Sequence, residues 1–82
     1  MNNLNSLNLS EKVLEALTSL ILINEKYSHK YYCNAENIHQ HYLLDLKPVL
    51  EQYKGQSDTI SRQMEKREEI YQEQVSCRDN SK

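Results

Sequence analysis

"SEKVLEALTSLILINEKYSHKYY", residues 10–32, is the stretch whose reading decides the fold. At about 100° per residue, Val13, Leu17, Leu20, Ile21, Tyr27 and Tyr31 fall on one broad face. Leu14, Ala16 and Tyr32 widen it. The spacing 13-17-20-24-27-31 alternates four and three, which is the seam of a helix that packs on other helices. Ser10 is an N-cap residue, and Leu9 with Leu14 has the spacing of a hydrophobic staple. These signals predict a helix over 10–32, with Asn24 in the middle of its apolar stripe.

Working outward, Asn34 offers a second N-cap. From it, Ala35, Ile38, Tyr42, Leu43, Leu46, Val49, Leu50 and Tyr53 form another continuous apolar arc. Pro48 lies on the polar side of that arc, and the apolar phase survives it. The pattern therefore predicts one helix over 35–54, bent at Pro48. The competing arrangement is a break, with Asp45 capping a new helix whose first turn holds Pro48. Gly55 stands where a C′ stop belongs. Ser57 or Asp58 caps a third helix, predicted over 57–76. Its apolar stripe is thin: Ile60, Met64, Tyr71 and Val75, with Arg67 alongside and Ile70 off to the flank. Such a helix either docks weakly on its own domain or extends to pair with another chain. Residues 1–9 and 77–82 read as tails.

The fold class is thus all-α: a small three-helix bundle over 10–76, made of an antiparallel hairpin and a third, more charged helix. Leu14, Leu17, Leu20, Ile21, Ile38, Leu46 and Leu50 are its expected core. Asn24 either fixes register or oligomer state at a seam position, or is a core asparagine bonded to a neighbouring tyrosine.

Eighty-two residues with a formal charge of −2 exclude several classes of function. The charges are spread, and no segment has the basic surplus that phosphate binding needs, so no nucleic-acid partner is expected. The most apolar run, 13–23, is about half the roughly 20 residues that span a bilayer. Two cysteines make no disulfide framework, and no signal peptide is read before the first helix, so a reducing cytoplasm is the expected compartment.

"HKYYCNAENIHQH", residues 29–41, gathers all three histidines and Cys33. Zinc needs four convergent ligands. His29 and Cys33 share the polar face of the first helix. His39 lies in the apolar arc of the second, and His41 points about 200° away from it. The four read as a helix–helix corner, with no metal and no cofactor. A partly buried His39 bonded to a neighbour is expected there, and a histidine in that setting also has the chemistry of a pH switch. No serine or cysteine has a nucleophile context and there is no glycine-rich phosphate loop, so no catalytic residue is assigned.

Two partner surfaces are expected instead. Tyr27, Tyr31, Tyr32, His39, His41 and Tyr42 cluster at the hairpin corner, and tyrosine is enriched at binding hot spots. Ile60, Met64 and Tyr71 on the third helix are the second surface, suited to a partner groove or to a second copy of the chain.

The whole chain, through its "MNNLNSLNLSEKVLEAL" opening, its length and its Asn-, Lys-, Ile- and Tyr-rich composition, resembles the small cytoplasmic lysis-inhibition accessory proteins of T-even phages. The likeness covers the full length and carries no signature motif. It implies a non-enzymatic antiholin in the host cell cytoplasm. Such a protein binds the cytoplasmic N-terminal part of the phage holin and delays hole formation. No contact residue is carried over from the family. Two other functions fit the residues: a helical adaptor or chaperone-like protein that sequesters another amphipathic partner, such as a host factor, and a small metal-binding protein.

Overall fold

Ser10 opens the first helix as its sequence requires. Its hydroxyl accepts from the Val13 N–H at 3.3 Å and its carbonyl from the Leu14 N–H at 3.0 Å. The structure, a computed structural model, describes residues 10–80, with side chains for 10–76. Leu9 of the expected staple, the tail 1–9 and residues 81 and 82 lie outside the described residues.

Helix α1 runs Glu11–Lys26, six residues short of the expected end. No glycine or proline stops it. Tyr27 makes the last helical bond, N–H to the Ile23 carbonyl, and then leaves the helical region with φ −120° and ψ 41°. The side chain of Gln74, far along the chain, holds the carbonyls of Tyr27 and His29, at 3.0 and 2.9 Å. A helix over this stretch would turn those oxygens to its own N–H groups four residues on. Residues 27–34 become an irregular connector, closed by a Tyr32 N–H bond to the His29 carbonyl and by the rings of Tyr27 and Tyr32, 4.8 Å apart.

Helix α2 begins at Ala35. Asn34 occupies the N-cap position, but its side chain makes no capping bond. The helix is regular over Ala35–His41, widens to a π-turn over Tyr42–Leu46, returns to α over Lys47–Leu50 and tightens to a 3-10 turn over Glu51–Tyr53. Pro48 explains the widening. It has no N–H for the Leu44 carbonyl, and the Lys47 N–H reaches back five residues to the Tyr42 carbonyl. The helix passes the proline unbroken, with φ −102° and ψ −47° at Leu46. Gly55 stands at C′, directly after the C-cap Lys54, where the sequence placed the stop, but without the left-handed conformation of a glycine cap. A bond from the Gln56 N–H to the Tyr53 carbonyl closes that end.

Helix α3 runs Asp58–Asn80, four residues past the expected end and into the expected tail. Ser57 rather than Asp58 caps it, accepting from the Ile60 N–H at 3.4 Å. His39 of α2 meets Glu68 and Tyr71 of α3, while Lys54 and Ser61 line the groove nearer the other end of both helices. These two helices are therefore antiparallel. Asn24 meets Gln63 and the end of α1 meets Gln74, so α1 and α3 run in the same sense. The described residues thus form an up-down-up bundle of three helices: the antiparallel hairpin is as the patterning predicts, and the third helix, whose placement the patterning left open, docks on it.

The core is a single cluster. Val13, Ala16, Leu17, Leu20 and Ile23 of α1 meet Tyr42, Leu46 and Leu50 of α2, and Ile60 and Met64 of α3. Leu20, Leu50 and Ile60 have no exposed surface, and burying such a side chain contributes about 1.5–3 kcal/mol. Of the expected core, Ile21 and Ile38 are half-buried against this cluster and Leu14 is half-buried. Leu43, placed in the α2 arc by periodicity, sits at its edge and is exposed. Ile70, placed on the flank of α3, is buried. No helix among the described residues is long and apolar enough to cross a membrane.

Candidate functional site

The α3 stripe is not thin, because polar residues complete it. Its inward positions are 60, 64, 67, 71 and 74, the same four-three spacing as α1. Arg67 is fully buried and Gln74 is 3 % exposed. Gln74 was missed because it is polar, yet the continued spacing points to it. One Nη group of Arg67 donates to Gln74 Oε1 at 3.4 Å, and Gln74 Nε2 donates to the two corner carbonyls. The chain Arg67–Gln74–corner ties α3 to the connector. Nε and the other Nη of Arg67 have no hydrogen-bond partner among the described residues. Burial lowers the Arg67 pKa, opposed by the negative charge of Glu68.

His39 is 5 % exposed and lies flat against Tyr71, with ring centroids 3.8 Å apart and planes 2° from parallel. The Tyr42 ring is 5.6 Å away. His39 Nε2 stands 3.8 Å from Glu68 Oε1, longer than a hydrogen bond, and Nδ1 is buried without a partner. The expected hydrogen bond to a neighbour is thus replaced by a ring stack. Burial holds the His39 pKa below its ordinary value. Glu68 works against this, while Arg67 and Lys47 add to it. Burial, with the carboxylates of Glu68 and Glu51, pushes the Tyr42 phenol up to about 12, so it stays protonated.

Asn24 is buried, and its amide N–H group bonds across helices to the Gln63 backbone carbonyl at 3.0 Å and to Gln63 Oε1 at 2.9 Å. Its partner is Gln63, not a tyrosine. It sets the register of α1 on α3 within the chain, and its own oxygen is buried and unpaired. Leucine has the same branching at this position and removes that unpaired oxygen. Asn24→Leu is expected to raise stability by about 1 kcal/mol, read as a higher urea midpoint. A lower midpoint would show that the bond to Gln63 outweighs the desolvated oxygen.

The expected corner patch is divided by the fold. Tyr31 is 63 % exposed, and His41 is exposed and bonded to Asp45 at 2.8 Å. Tyr27 and Tyr32 are half-buried against each other. His39 and Tyr42 face the core, where a partner docking on the closed bundle does not reach them. Ile60 and Met64 of the second expected surface are buried against the chain's own helices, and Tyr71 is half-buried beneath His39. Among the described residues, the large apolar side chains that remain outside are Leu22, Tyr31, Leu43 and Leu44.

The cysteine and histidines of 29–41 do not converge. Cys33 is exposed, the His29 ring accepts from the Tyr31 N–H at 3.1 Å, and His39 and His41 point to opposite sides of α2. Among the described residues, no group of three or more His, Cys, Asp or Glu is placed to hold a metal ion. Comparison of the chain with protein-family models, curated proteins and solved structures gives no match.

Proposed function

We propose that the chain is a non-enzymatic regulator that works by binding a helical partner, and that the partner is the cytoplasmic segment of a phage holin. The observation that carries the binding reading is the set of apolar side chains left outside the bundle. Leu44 is 71 % exposed, Leu22 56 % and Leu43 38 %, on a chain whose own core is already closed. Leu43 and Leu44 sit in the π-turn before Pro48. Such wide turns recur at functional positions in helices. The identity of the partner rests on the resemblance of the full-length sequence to T-even lysis-inhibition accessory proteins.

The mechanism needs no chemistry from the regulator. A protein that binds the untriggered holin draws its population away from the lethal assembly by mass action. At a free concentration one hundred times Kd this shift amounts to about 2.7 kcal/mol. Lysis is delayed for as long as that excess lasts.

Light scattering on a sizing column tests the reading, with the chain alone and then mixed with the soluble holin segment. A heavier co-eluting complex is expected, weakened by Leu44→Glu and unchanged by Lys54→Gln. Separate peaks at high micromolar concentration would remove the holin as the partner. The mass of the chain alone reports self-association.

A further inference from the structure

In the contact between α2 and α3, a buried histidine and a buried arginine both feel the charge of one carboxylate, Glu68. His39 and Arg67 are 5 % and 0 % exposed. Glu68, whose side chain is 43 % exposed, is 3.8 Å from His39. The charges that act on His39 come from both helices: Glu68 and Arg67 on α3, and Lys47 on α2 itself. The rings of Tyr71 and Tyr42 close the remaining sides. Among the described residues, three of the four buried polar side-chain atoms that lack partners belong to His39 and Arg67.

We propose that this cluster is a proton-operated latch: a proton taken up by His39 releases α3 from the other two helices. The neutral imidazole fits its place as a flat ring between helices. The imidazolium puts a second cation beside Arg67, with one partly solvated carboxylate to serve both. Lifting α3 away hydrates both cations at once. Two features oppose opening, the Glu68 charge and the attraction of the Tyr71 ring face for a cation. They set how acidic the medium must be. The burial that holds the His39 pKa down fixes the sign. The open form binds the proton more readily, so docking of α3 is complete above about pH 6.5 and is lost as pH falls below it. Opening carries Gln74 off the corner carbonyls and uncovers Ile60, Met64 and Tyr71, an apolar stripe of the kind that enters a partner groove.

The test is amide hydrogen exchange on the full chain at about pH 7.5 and 5.5, corrected for the intrinsic pH dependence. Protection of α3 amides is expected to fall severalfold in acid, up to the roughly tenfold ceiling that one histidine with an ordinary pKa near 6.5 allows at pH 5.5. Protection of residues 13–23 in α1 falls less. His39→Phe keeps a ring against Tyr71 and removes the proton site, and its α3 protection is expected to be the same at both values. Glu68→Gln removes the opposing charge and should move the opening to higher pH, which keeps the test decisive if His39→Phe folds poorly. Equal α3 protection at both values in the native chain overturns the latch. So does an equal loss in α1 and α3, or a loss that persists in His39→Phe.

Discussion

Replacing Arg67 with methionine is expected to stabilise the bundle by about 1–3 kcal/mol, the direction found when buried charges give way to apolar side chains of similar volume. Arg67 is fully buried, two of its donor groups lack partners among the described residues, and its side-chain bond to Gln74 is long at 3.4 Å. Desolvation of the guanidinium therefore exceeds what its contacts return. Methionine fills the stem volume with a flexible apolar chain. The gain is limited by Gln74 Oε1, which loses its donor, though Gln74 keeps both corner carbonyls. In a chain of this size, each kcal/mol moves the thermal midpoint by roughly 4–8 °C. Thermal unfolding followed by circular dichroism measures the shift. A midpoint below that of the native chain would mean that the Arg67 charge is satisfied in solution. The same variant bears on the latch: with Arg67 gone, His39 loses a neighbouring cation and the pH dependence of stability should flatten.

The second large effect concerns the segment after Pro48. Leu50→Ala is expected to cost about 3–5 kcal/mol, the range for a fully buried leucine whose site cannot collapse. Leu50 has no exposed surface and belongs to the central cluster. A chain of 82 residues has only about 4–12 kcal/mol in total, so this variant should lose at least about a quarter of its stability. Leu44→Ala is the control. Leu44 sits in the π-turn and is 71 % exposed, so its loss should stay within about 0.5 kcal/mol. Urea denaturation of both variants compares the two sides of α2. Similar costs at positions 44 and 50 would mean that the π-turn does not set the phase of the helix around the proline.

How far the sequence can be read depends on how local each determinant is. The four-three spacing of Val13, Leu17, Leu20 and Asn24 places the inner face of α1 correctly, because a buried stripe must repeat with the turn of the helix. The unbroken apolar phase across Pro48 likewise marks α2 as one helix. The π-turn that makes this possible was not legible: proline announces a lost hydrogen bond, not which carbonyl will be re-paired. The α3 stripe was under-read for a related reason. Hydrophobicity marks buried positions only where they are apolar, and here Arg67 and Gln74 take seam places. The candidate site suffered most. His39 and Tyr42 were read both as members of the apolar arc of α2 and as members of the corner patch, and the arc decides: both turn inward.

The sequence by itself determined that the described residues form three helices, that Ser10 starts α1, and that Leu17, Leu20, Leu46 and Leu50 meet in the core. Those signals lie within one or two turns of the residues they govern. Only the tertiary structure decided where α1 stops, how Asn24 is paired, that Arg67 is buried and that His39 stacks on Tyr71. Gln74 reaches Tyr27 across 47 positions and Asn24 reaches Gln63 across 39. Periodicity reports which face of a helix is turned inward. The side chain that waits there, on another helix, is set by the packing of all three.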